Sequence, residues 1–236
     1  MWVDVIIPAY NPGIYLDEAI KSCINQSYKK FNIIVIDDNS SQDIEKITSK
    51  YRNIKYIKNC KNMGPSYSRN IGIKSSSADL ISLLDADDVW DRDKLINSIN
   101  EFKKDKSVGM TCGNYQIMVR NRLRSQFYKR PVKVSHSSLM RINYVASGST
   151  TFKRSVVDDV GLFNEKYWIS EDYDMWVRIS EKYSIKYIHK VLYYYRIIPG
   201  NDSLTQRGDI QKNHDNNIAE IRKESARRMK TIVNNG

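Results

Sequence analysis

The chain has 236 residues, of which 41% are hydrophobic and 28% are charged, and its formal net charge is +11. This composition is typical of a globular protein and excludes wholesale disorder, and the length suits one large domain or a core domain with an appendage. The basic balance favours an anionic partner, such as a nucleotide, a nucleic acid or an acidic membrane surface, and does not choose among them.

The cysteines and the apolar runs indicate the cellular compartment. Cys23, Cys60 and Cys112 are odd in number and widely spaced, which fits free structural thiols in a reducing compartment better than a disulfide framework or a zinc site. No apolar run approaches the roughly 18 residues that a membrane-spanning helix needs. The first residues lack the basic region and the apolar core of a signal peptide. We therefore expect a soluble, cytoplasmic protein.

The first part of the chain alternates predicted strands with predicted helices. Short apolar runs predict strands at residues 3–8, 31–36, 54–57 and 80–84. Helical spacing predicts helices at residues 15–26 and 66–74, and another that ends near Tyr51 and is capped by Ser41 or Asp43. Strands that alternate with helices form right-handed βαβ units and a parallel sheet.

Polar side chains follow the first, second and fourth of these strands. They are Tyr10 and Asn11, then Asp37 and Asp38, then Asp85, Asp87 and Asp88. Because the carboxyl ends of parallel strands meet at one edge of a sheet, these side chains outline a nucleotide site. Neither a Gly-x-Gly-x-x-Gly fingerprint nor a Gly-Lys-Ser/Thr phosphate loop is present. The phosphates would therefore be held by a metal and basic side chains.

The three carboxylates after the fourth strand have two interpretations. Asp85, Asp87 and Asp88 lie within four positions, and their repulsion must be offset by a cation or by hydrogen-bond donors. A hard divalent ion held by one or two carboxylates and by the phosphates of a ligand would do so. The alternative is an acidic turn that caps a helix beginning near Trp90.

After residue 90 the apolar residues are less regularly spaced, and the following elements are predicted. We expect a helix at residues 93–102, a strand at 108–119, a mobile basic loop at 121–131, a short helix at 136–144 and a strand at 185–195. Ser170 is expected to cap a helix with Glu171 and Asp172 in its first turn. Residues 208–236 fit a basic helix that packs on the body or, alternatively, rests on anionic lipid.

Four segments together resemble the ordered motifs of family 2 glycosyltransferases. They are VIIPAYN at residues 5–11, IDDNS at 36–40, GPSYSRNIG at 64–72 and LDADD at 84–88. The resemblance covers residues 3–90 and implies the GT-A fold, an α/β architecture with a Rossmann-like, mostly parallel central sheet flanked by helices. It implies one domain over residues 1–207, with a nucleotide-binding half (1–105) and an acceptor-binding half (106–207), followed by a basic helical tail (208–236).

The resemblance also implies roles at the donor site. Tyr10 would stack on the base, Asp38 would accept a hydrogen bond from N3–H of uracil, and Arg69 would lie near the phosphates. The backbone of Pro8, Ala9 and Asn11 would line the same pocket. Each residue has a plain structural alternative, which is core packing for Tyr10, a helix cap for Asp38 and a surface ion pair for Arg69.

The implied metal is Mn or Mg. Asp87 would contact the ribose or the metal, Asp88 the metal, and Asp85 would support them. Many relatives carry a histidine at the position of Ile198, which cannot be a ligand. Water or another residue would then complete the shell, or metal binding would be weaker. His189 lies within a predicted strand and is interpreted as structural.

For catalysis, the resemblance implies Asp172 as the general base and Glu171 as the alternative base. A sugar hydroxyl is a poor nucleophile, so a carboxylate must take its proton as the glycosidic bond forms. A single base and no second nucleophile imply one displacement with inversion. Trp176 would form a wall of the acceptor pocket. Ser149, in a segment rich in hydroxyl groups, would contact the donor sugar or the acceptor, or merely belong to a strand.

The predicted function is transfer of one sugar from a nucleotide-diphospho-sugar, with UDP favoured, to a hydroxyl of a saccharide, lipid-linked glycan or protein glycan. The Gln-x-x-Arg-Trp signature of processive synthases is absent, which favours single addition. The alternatives are a nucleotidyltransferase, an inactive sugar-nucleotide-binding relative, and a basic nucleic-acid-binding protein. The last is disfavoured because the 16 tyrosines are scattered rather than interleaved with basic residues on one face. We expect no nucleic-acid partner. The basic tail is a candidate for peripheral contact with a membrane.

Overall fold

The computed structural model describes residues 1–127, 134–198 and 208–234. Its strands are β1 (Val3–Ala9), β2 (Phe31–Asp37), β3 (Ile54–Lys58), β4 (Leu80–Leu83), β5 (Val89–Trp90), β6 (Val108–Val119), β7 (Arg122–Phe127), β8 (Thr151–Lys153) and β9 (Ser184–Ile197). Its helices are α1 (Tyr15–Ile24), α2 (Ile44–Thr48), α3 (Pro65–Lys74), α4 (Lys94–Lys104), α5 (His136–Leu139), α6 (Val156–Val160), α7 (Glu171–Lys182) and α8 (Gly208–Asn234). A 3-10 turn covers Ser147–Ser149.

One sheet organises the part of the chain that is described. Its strand order is β3-β2-β1-β4-β8-β6-β9-β5, with β7 paired to β6. The first four strands in that order are all parallel, as the sequence predicts. Beyond β4 the sheet becomes mixed, because β8 runs antiparallel to both β4 and β6 while β6 and β9 are parallel. The predicted α/β fold with a central sheet flanked by helices is confirmed, and the sheet is parallel over β1–β4 and mixed beyond them.

The apolar runs form strands because both faces of the sheet are covered. Six of the seven residues of β1 are buried, which is typical of a parallel strand between helical layers. On one face, α1 buries Leu16, Ala19, Ile20 and Cys23, the residues whose spacing predicts this helix. On the other face, α3 lies so close to β1 that a Cβ added at Gly72 would be 2.5 Å from Ile6 Cγ2.

Two local predictions are wrong because partners distant in sequence decide the structure. No helix begins near Trp90, because Val89 and Trp90 form β5, which pairs with Tyr194 and Tyr193 of β9; the helix predicted at residues 93–102 is confirmed as α4. The basic segment after residue 120 forms β7 on the edge of β6 rather than a loop, and residues 128–133 lie outside the described part. In both cases an exposed or short run becomes a strand by pairing with a longer one.

The C-terminal helix α8 packs along α7 in the same direction. His214 contacts Ser170 at the start of α7, and Arg228 pairs with Glu181 near its end at 2.7 Å. Ile221 is fully buried between them as part of the core. Within the described ranges, every helix is too short or too polar to cross a lipid bilayer.

Candidate active site

The acidic turn after β4 is held through its backbone. The Asp88 N–H donates to the Asp85 carbonyl at 3.1 Å, which closes a tight turn. Arg196, on β9, donates from its backbone N–H to Asp88 Oδ1 at 2.8 Å and from Nε to the Asp87 carbonyl at 2.7 Å. The Arg196 guanidinium also pairs with Glu18 at 2.5 Å. Arg196 therefore fixes the shape of the turn, while its guanidinium contacts the Asp87 carbonyl and Glu18 rather than the carboxylates of Asp87 and Asp88.

Burial without a counter-ion makes these carboxylates resist ionisation. Burial and the charge of Asp85 raise the pKa of Asp87 to about 6. Burial, followed by the charges of Asp87 and Asp85, raises the pKa of Asp88 well above its usual value. Among the described residues, neither side chain forms an ion pair with a lysine or arginine. Asp87 and Asp88 thus fit a divalent cation, which would supply the missing positive charge.

The described side chains do not form a complete metal shell. Within the described ranges, no group of three histidine, cysteine, aspartate or glutamate residues could hold a metal ion. Ile198 is half-buried just after β9, and residues 199–207 lie outside the described part. His189 is exposed on β9 with its ring 5.2 Å from that of Tyr187. A cation here would take its remaining ligands from water and phosphate, as Mg²⁺ commonly does.

The carboxylate of Asp38 organises the loop before α3. It accepts hydrogen bonds from Asn59 Nδ2 at 2.7 Å, from the Met63 N–H at 2.9 Å and from the Gly64 N–H at 2.7 Å. Only the Gly64 bond uses Oδ2, so that oxygen can accept another. Asp37, which is fully buried, accepts from the Tyr56 hydroxyl at 2.9 Å and lies outside this loop.

The end of β1 lies beside Asp38. The Asp38 N–H donates to the Ala9 carbonyl at 2.8 Å, and Pro8 precedes Ala9 in the same strand. Asn11, at a positive φ of 46°, accepts from both the N–H and the hydroxyl of Ser41 at 2.9 Å. Tyr10 is 54% exposed between them. The four residues predicted to line a donor pocket are therefore contiguous with Asp38, and the ring of Tyr10 is available to a ligand.

Arg69 joins the two acidic segments. Its guanidinium donates from Nη2 to Asp85 Oδ1 at 2.9 Å and from Nη1 to Glu171 Oε1 at 2.6 Å. The residue is only 4% exposed, and its Cζ lies 5.6 Å from the centre of the Phe163 ring. Arg69 is not a surface ion-pair member but a buried bridge between the acidic turn and the first turn of α7.

Glu171 and Asp172 lie side by side at this bridge with different partners. Burial raises the pKa of Glu171 to about 7, although Arg69 opposes the shift. Burial also raises the pKa of Asp172. Asp172 Oδ2 accepts from the Ser147 hydroxyl at 3.1 Å, and Oδ1 accepts from the Tyr173 N–H at 2.6 Å. Ser147 belongs to the segment rich in hydroxyl groups from which only Ser149 was predicted as a site residue.

Three predicted roles near this site need correction. Ser149 is fully buried and donates to the Ala146 carbonyl at 2.8 Å, so it cannot contact an acceptor. Trp176 is fully buried with its ring 6.1 Å from that of Phe163, so it is core and not a pocket wall. Ser170 does not cap α7 with its side chain. Helix geometry explains Trp176, because residues 175, 176 and 179 share the inner face of α7.

An exposed aromatic side chain lies where Trp176 was expected to act. Trp168 is 48% exposed, three residues before Glu171. Its ring covers Gly64, where an added Cβ would lie 2.8 Å from the ring and where φ is +86°. Trp168 therefore lies against the loop that Asp38 holds, in the segment that leads into the acid pair. The sequence offered no periodic signal for it, because it belongs to an irregular segment.

Comparison with known proteins gives consistent matches. The family model described as glycosyl transferase family 2 matches residues 4–161. An uncharacterised glycosyltransferase of Haemophilus influenzae is 30% identical over 83% of this chain and 79% of the relative. The Escherichia coli protein WfaP, a UDP-Glc:α-D-GlcNAc-diphosphoundecaprenol β-1,3-glucosyltransferase, is 28% identical over 85% of this chain and 79% of the relative.

Solved structures share the fold. Staphylococcus aureus TarS in complex with UDP-GlcNAc gives a TM-score of 0.75 at 20% identity, over 88% of this chain and 62% of that chain. The mannosyltransferase PcManGT of Pyrobaculum calidifontis, in complex with GDP-Man and Mn²⁺, gives 0.67 at 19% identity, over 87% of this chain and 58% of that chain. The chain thus spans about three fifths of each solved structure, and these likenesses confirm the fold predicted from its sequence.

Replacement of Arg69 by methionine tests the buried bridge. Arg69→Met leaves Glu171 buried without its cation, so we expect the free energy of unfolding to fall by roughly 3–5 kcal/mol near neutral pH. The loss should be larger at about pH 8 than at about pH 5, because protonation of Glu171 removes the unpaired charge. Urea denaturation at both pH values measures it. Arg92→Met, at an exposed arginine, is the control, and equal losses in the two variants would contradict the bridge.

Proposed function

The chain belongs to glycosyltransferase family 2, and from that membership we propose that it transfers one sugar from a UDP-sugar to a hydroxyl of a lipid-linked saccharide, with inversion. The observation that carries the proposal is the meeting of the acidic turn after β4 with the acid pair of α7 across Arg69. Family membership selects glycosyl transfer over the nucleotidyltransferase alternative. The pairing of β4 with β8 and the ion pair between Arg69 and Glu171 join the two halves, which supports one catalytic domain.

The donor pocket is formed by Pro8, Ala9, Tyr10 and Asn11 together with Asp38. Tyr10 offers an exposed ring to the base, and Asp38 Oδ2 retains capacity to accept N3–H of uracil. UDP is favoured because WfaP uses UDP-Glc and TarS binds UDP-GlcNAc. The acceptor class follows from WfaP, whose acceptor is a GlcNAc linked to a lipid diphosphate.

Asp87 and Asp88 would hold a divalent cation, Mn or Mg, with Asp85 in support. When bound, such an ion would stabilise the negative charge that develops on the diphosphate. Arg69 lies at the same edge, where its hydrogen bond orients Asp85 and its charge adds to the positive potential. Ile198 supplies no ligand, so phosphate oxygens and water would complete the coordination.

Asp172 is the proposed general base. The acceptor oxygen forms a bond to the anomeric carbon while the bond to the diphosphate oxygen breaks, and Asp172 takes the hydroxyl proton. Ser147 and the Tyr173 N–H fix the orientation of its carboxylate. Glu171 is the weaker candidate because Arg69 engages its oxygen at 2.6 Å. Trp168, exposed beside the pair, is the proposed aromatic contact for the acceptor saccharide.

Asp88→Asn tests the donor site and its metal. We expect UDP to bind more tightly than GDP or CDP in the presence of Mn, and EDTA to weaken that binding strongly. Asparagine keeps an oxygen for the Arg196 N–H but removes the charge. The factor by which Mn increases the affinity for UDP should therefore fall by about tenfold or more. Isothermal titration with Mn, Mg and EDTA measures it, with Asp93→Asn at an exposed aspartate as the control. UDP affinity of Asp88→Asn that still rises fully with Mn would refute the assignment.

Asp172→Asn separates chemistry from binding. Loss of a general base should lower kcat by roughly 10²–10⁴-fold, while UDP affinity stays near that of the unchanged protein. The kcat of the unchanged protein should fall on acidification at a pH above the usual aspartate range, because the base must be ionised and burial raises its pKa. Transfer of sugar from UDP-Glc to a diphospholipid-linked GlcNAc is the assay. Asp158→Asn, exposed on α6, is the control; substantial turnover by Asp172→Asn would move the base to Glu171.

The outer face of α8 is the proposed contact with the membrane that carries the acceptor. Lys223, Arg227 and Lys230 are exposed there, and Ile142, 55% exposed, follows Arg141, whose carbonyl accepts from the Arg222 guanidinium of α8. Such a basic surface favours anionic lipid.

Replacement of these three basic residues by glutamine tests the membrane contact. At about 1 kcal/mol for each charge, affinity for phosphatidylglycerol vesicles should fall by roughly a hundredfold. Vesicle sedimentation measures it, and the control variant replaces Lys103, Lys104 and Lys106, which are exposed elsewhere. An equal loss in both variants would show that net charge alone, not this face, drives binding.

A further inference from the structure

The acid pair of α7 follows directly on a strained residue. Ser170 has φ 71° and ψ 12°, in the left-handed region, and its carbonyl accepts the first helical hydrogen bond from the Asp174 N–H at 3.0 Å. The left-handed conformation costs a non-glycine residue roughly 1–2 kcal/mol. Such a residue keeps this conformation only where surrounding contacts hold it. The direction in which Glu171 and Asp172 leave the turn depends on it.

Two side chains of α8 hold this turn. His214 Nδ1 and the Ser170 hydroxyl are hydrogen-bonded at 2.7 Å. Asn217 Nδ2 donates to the carbonyl of Ile169 at 2.9 Å. Ser170 is only 4% exposed, so little water reaches it in place of these partners. The carbonyl that precedes the strained residue and the side chain of that residue are therefore both hydrogen-bonded to α8.

The rest of α8 is anchored by contacts that do not involve His214 or Asn217. Ile221 is fully buried in the core. The Ser225 hydroxyl donates to Glu181 Oε1 at 2.6 Å, and Arg228 donates to both oxygens of Glu181 at 2.7 and 2.8 Å. Substitution of the first two residues should consequently leave the helix docked.

We propose that His214 and Asn217 are positioning residues of the active site, which hold Ser170 in the left-handed conformation so that the acid pair faces the acidic turn. The proposal rests on the proposed function in taking Asp172 as the base. Relaxation of Ser170 to an ordinary conformation would redirect the start of α7. A displacement of about 1 Å at a reacting group can cost as much as a hundredfold in rate.

The decisive comparison uses glycine and alanine at position 170. His214→Ala/Asn217→Ala removes both ties, and we expect kcat to fall by about tenfold or more, with UDP affinity unchanged because the donor pocket is untouched. Ser170→Gly in that background should recover much of the loss, since glycine adopts positive φ without strain. Ser170→Ala loses the same hydroxyl but keeps the strain, so it should recover nothing. Asn216→Ala, at an exposed asparagine one residue away, is the matched control.

Hydrogen exchange gives a second readout that does not require activity. Exchange of a peptide covering residues 167–175 should speed up in the double variant, slow again with Ser170→Gly, and stay unchanged in Asn216→Ala. His214→Asn, whose side-chain oxygen can replace Nδ1, should retain protection. Thermal unfolding of each full-length variant shows that it is folded.

The possible outcomes separate this inference from the proposed function. If the unchanged protein transfers sugar and the double variant keeps its kcat and its exchange pattern, the positioning role is wrong and the proposed function stands. If the unchanged protein transfers no sugar, the proposed function fails, and the exchange pattern alone decides whether α8 holds the turn. Equal recovery by glycine and alanine would overturn the role of strain.

Discussion

The architecture of the site depends on one buried cation, the guanidinium of Arg69. Its hydrogen bonds to Asp85 and Glu171 join segments that are distant in sequence. A buried arginine is costly unless carboxylates compensate it, and the same holds for the buried glutamate. The three groups therefore require one another, and together they fix α3, the turn after β4 and the start of α7 in a single arrangement.

The carboxylates of this edge fall into two groups according to what satisfies them. Asp38 accepts three hydrogen bonds from the chain itself and thereby shapes the loop before α3. Asp88 is as buried as Asp38 and Asp87 is half-buried; neither forms an ion pair with a lysine or arginine in the described part of the chain, and burial together with the neighbouring carboxylates raises their pKa values. Asp38 therefore stabilises the structure of the site, whereas the carboxylates of Asp87 and Asp88 can bind a cationic ligand. This difference arises from burial and from distant partners, and no sequence motif records it.

Much of the fold could be predicted from the sequence because it depends on local periodicity. The four parallel strands and their polar ends follow from short apolar runs, and each lies where the pattern places it. Predictions failed where the orientation or the pairing of a residue was decided by a distant element. Trp176 faces the core because of where α7 begins, and Trp90 belongs to a strand because β9 pairs with it. Ser149 was chosen over Ser147 because a run of hydroxyl residues does not show which one faces the acid pair.

The left-handed conformation of Ser170 gives a role to the contacts between α7 and α8, the helix that the sequence predicts as a basic tail. His214, Asn217, Ile221, Ser225 and Arg228 are spaced three or four residues apart, so they share one face of α8. On that face, His214 and Asn217 bond to the segment at the start of α7, Ile221 is buried in the core, and Ser225 and Arg228 bond to Glu181 near the end of α7. Lys223, Arg227 and Lys230 lie on the opposite face, where they are exposed to solvent. One face of α8 thus holds the turn before the acid pair, and the opposite face carries exposed charge.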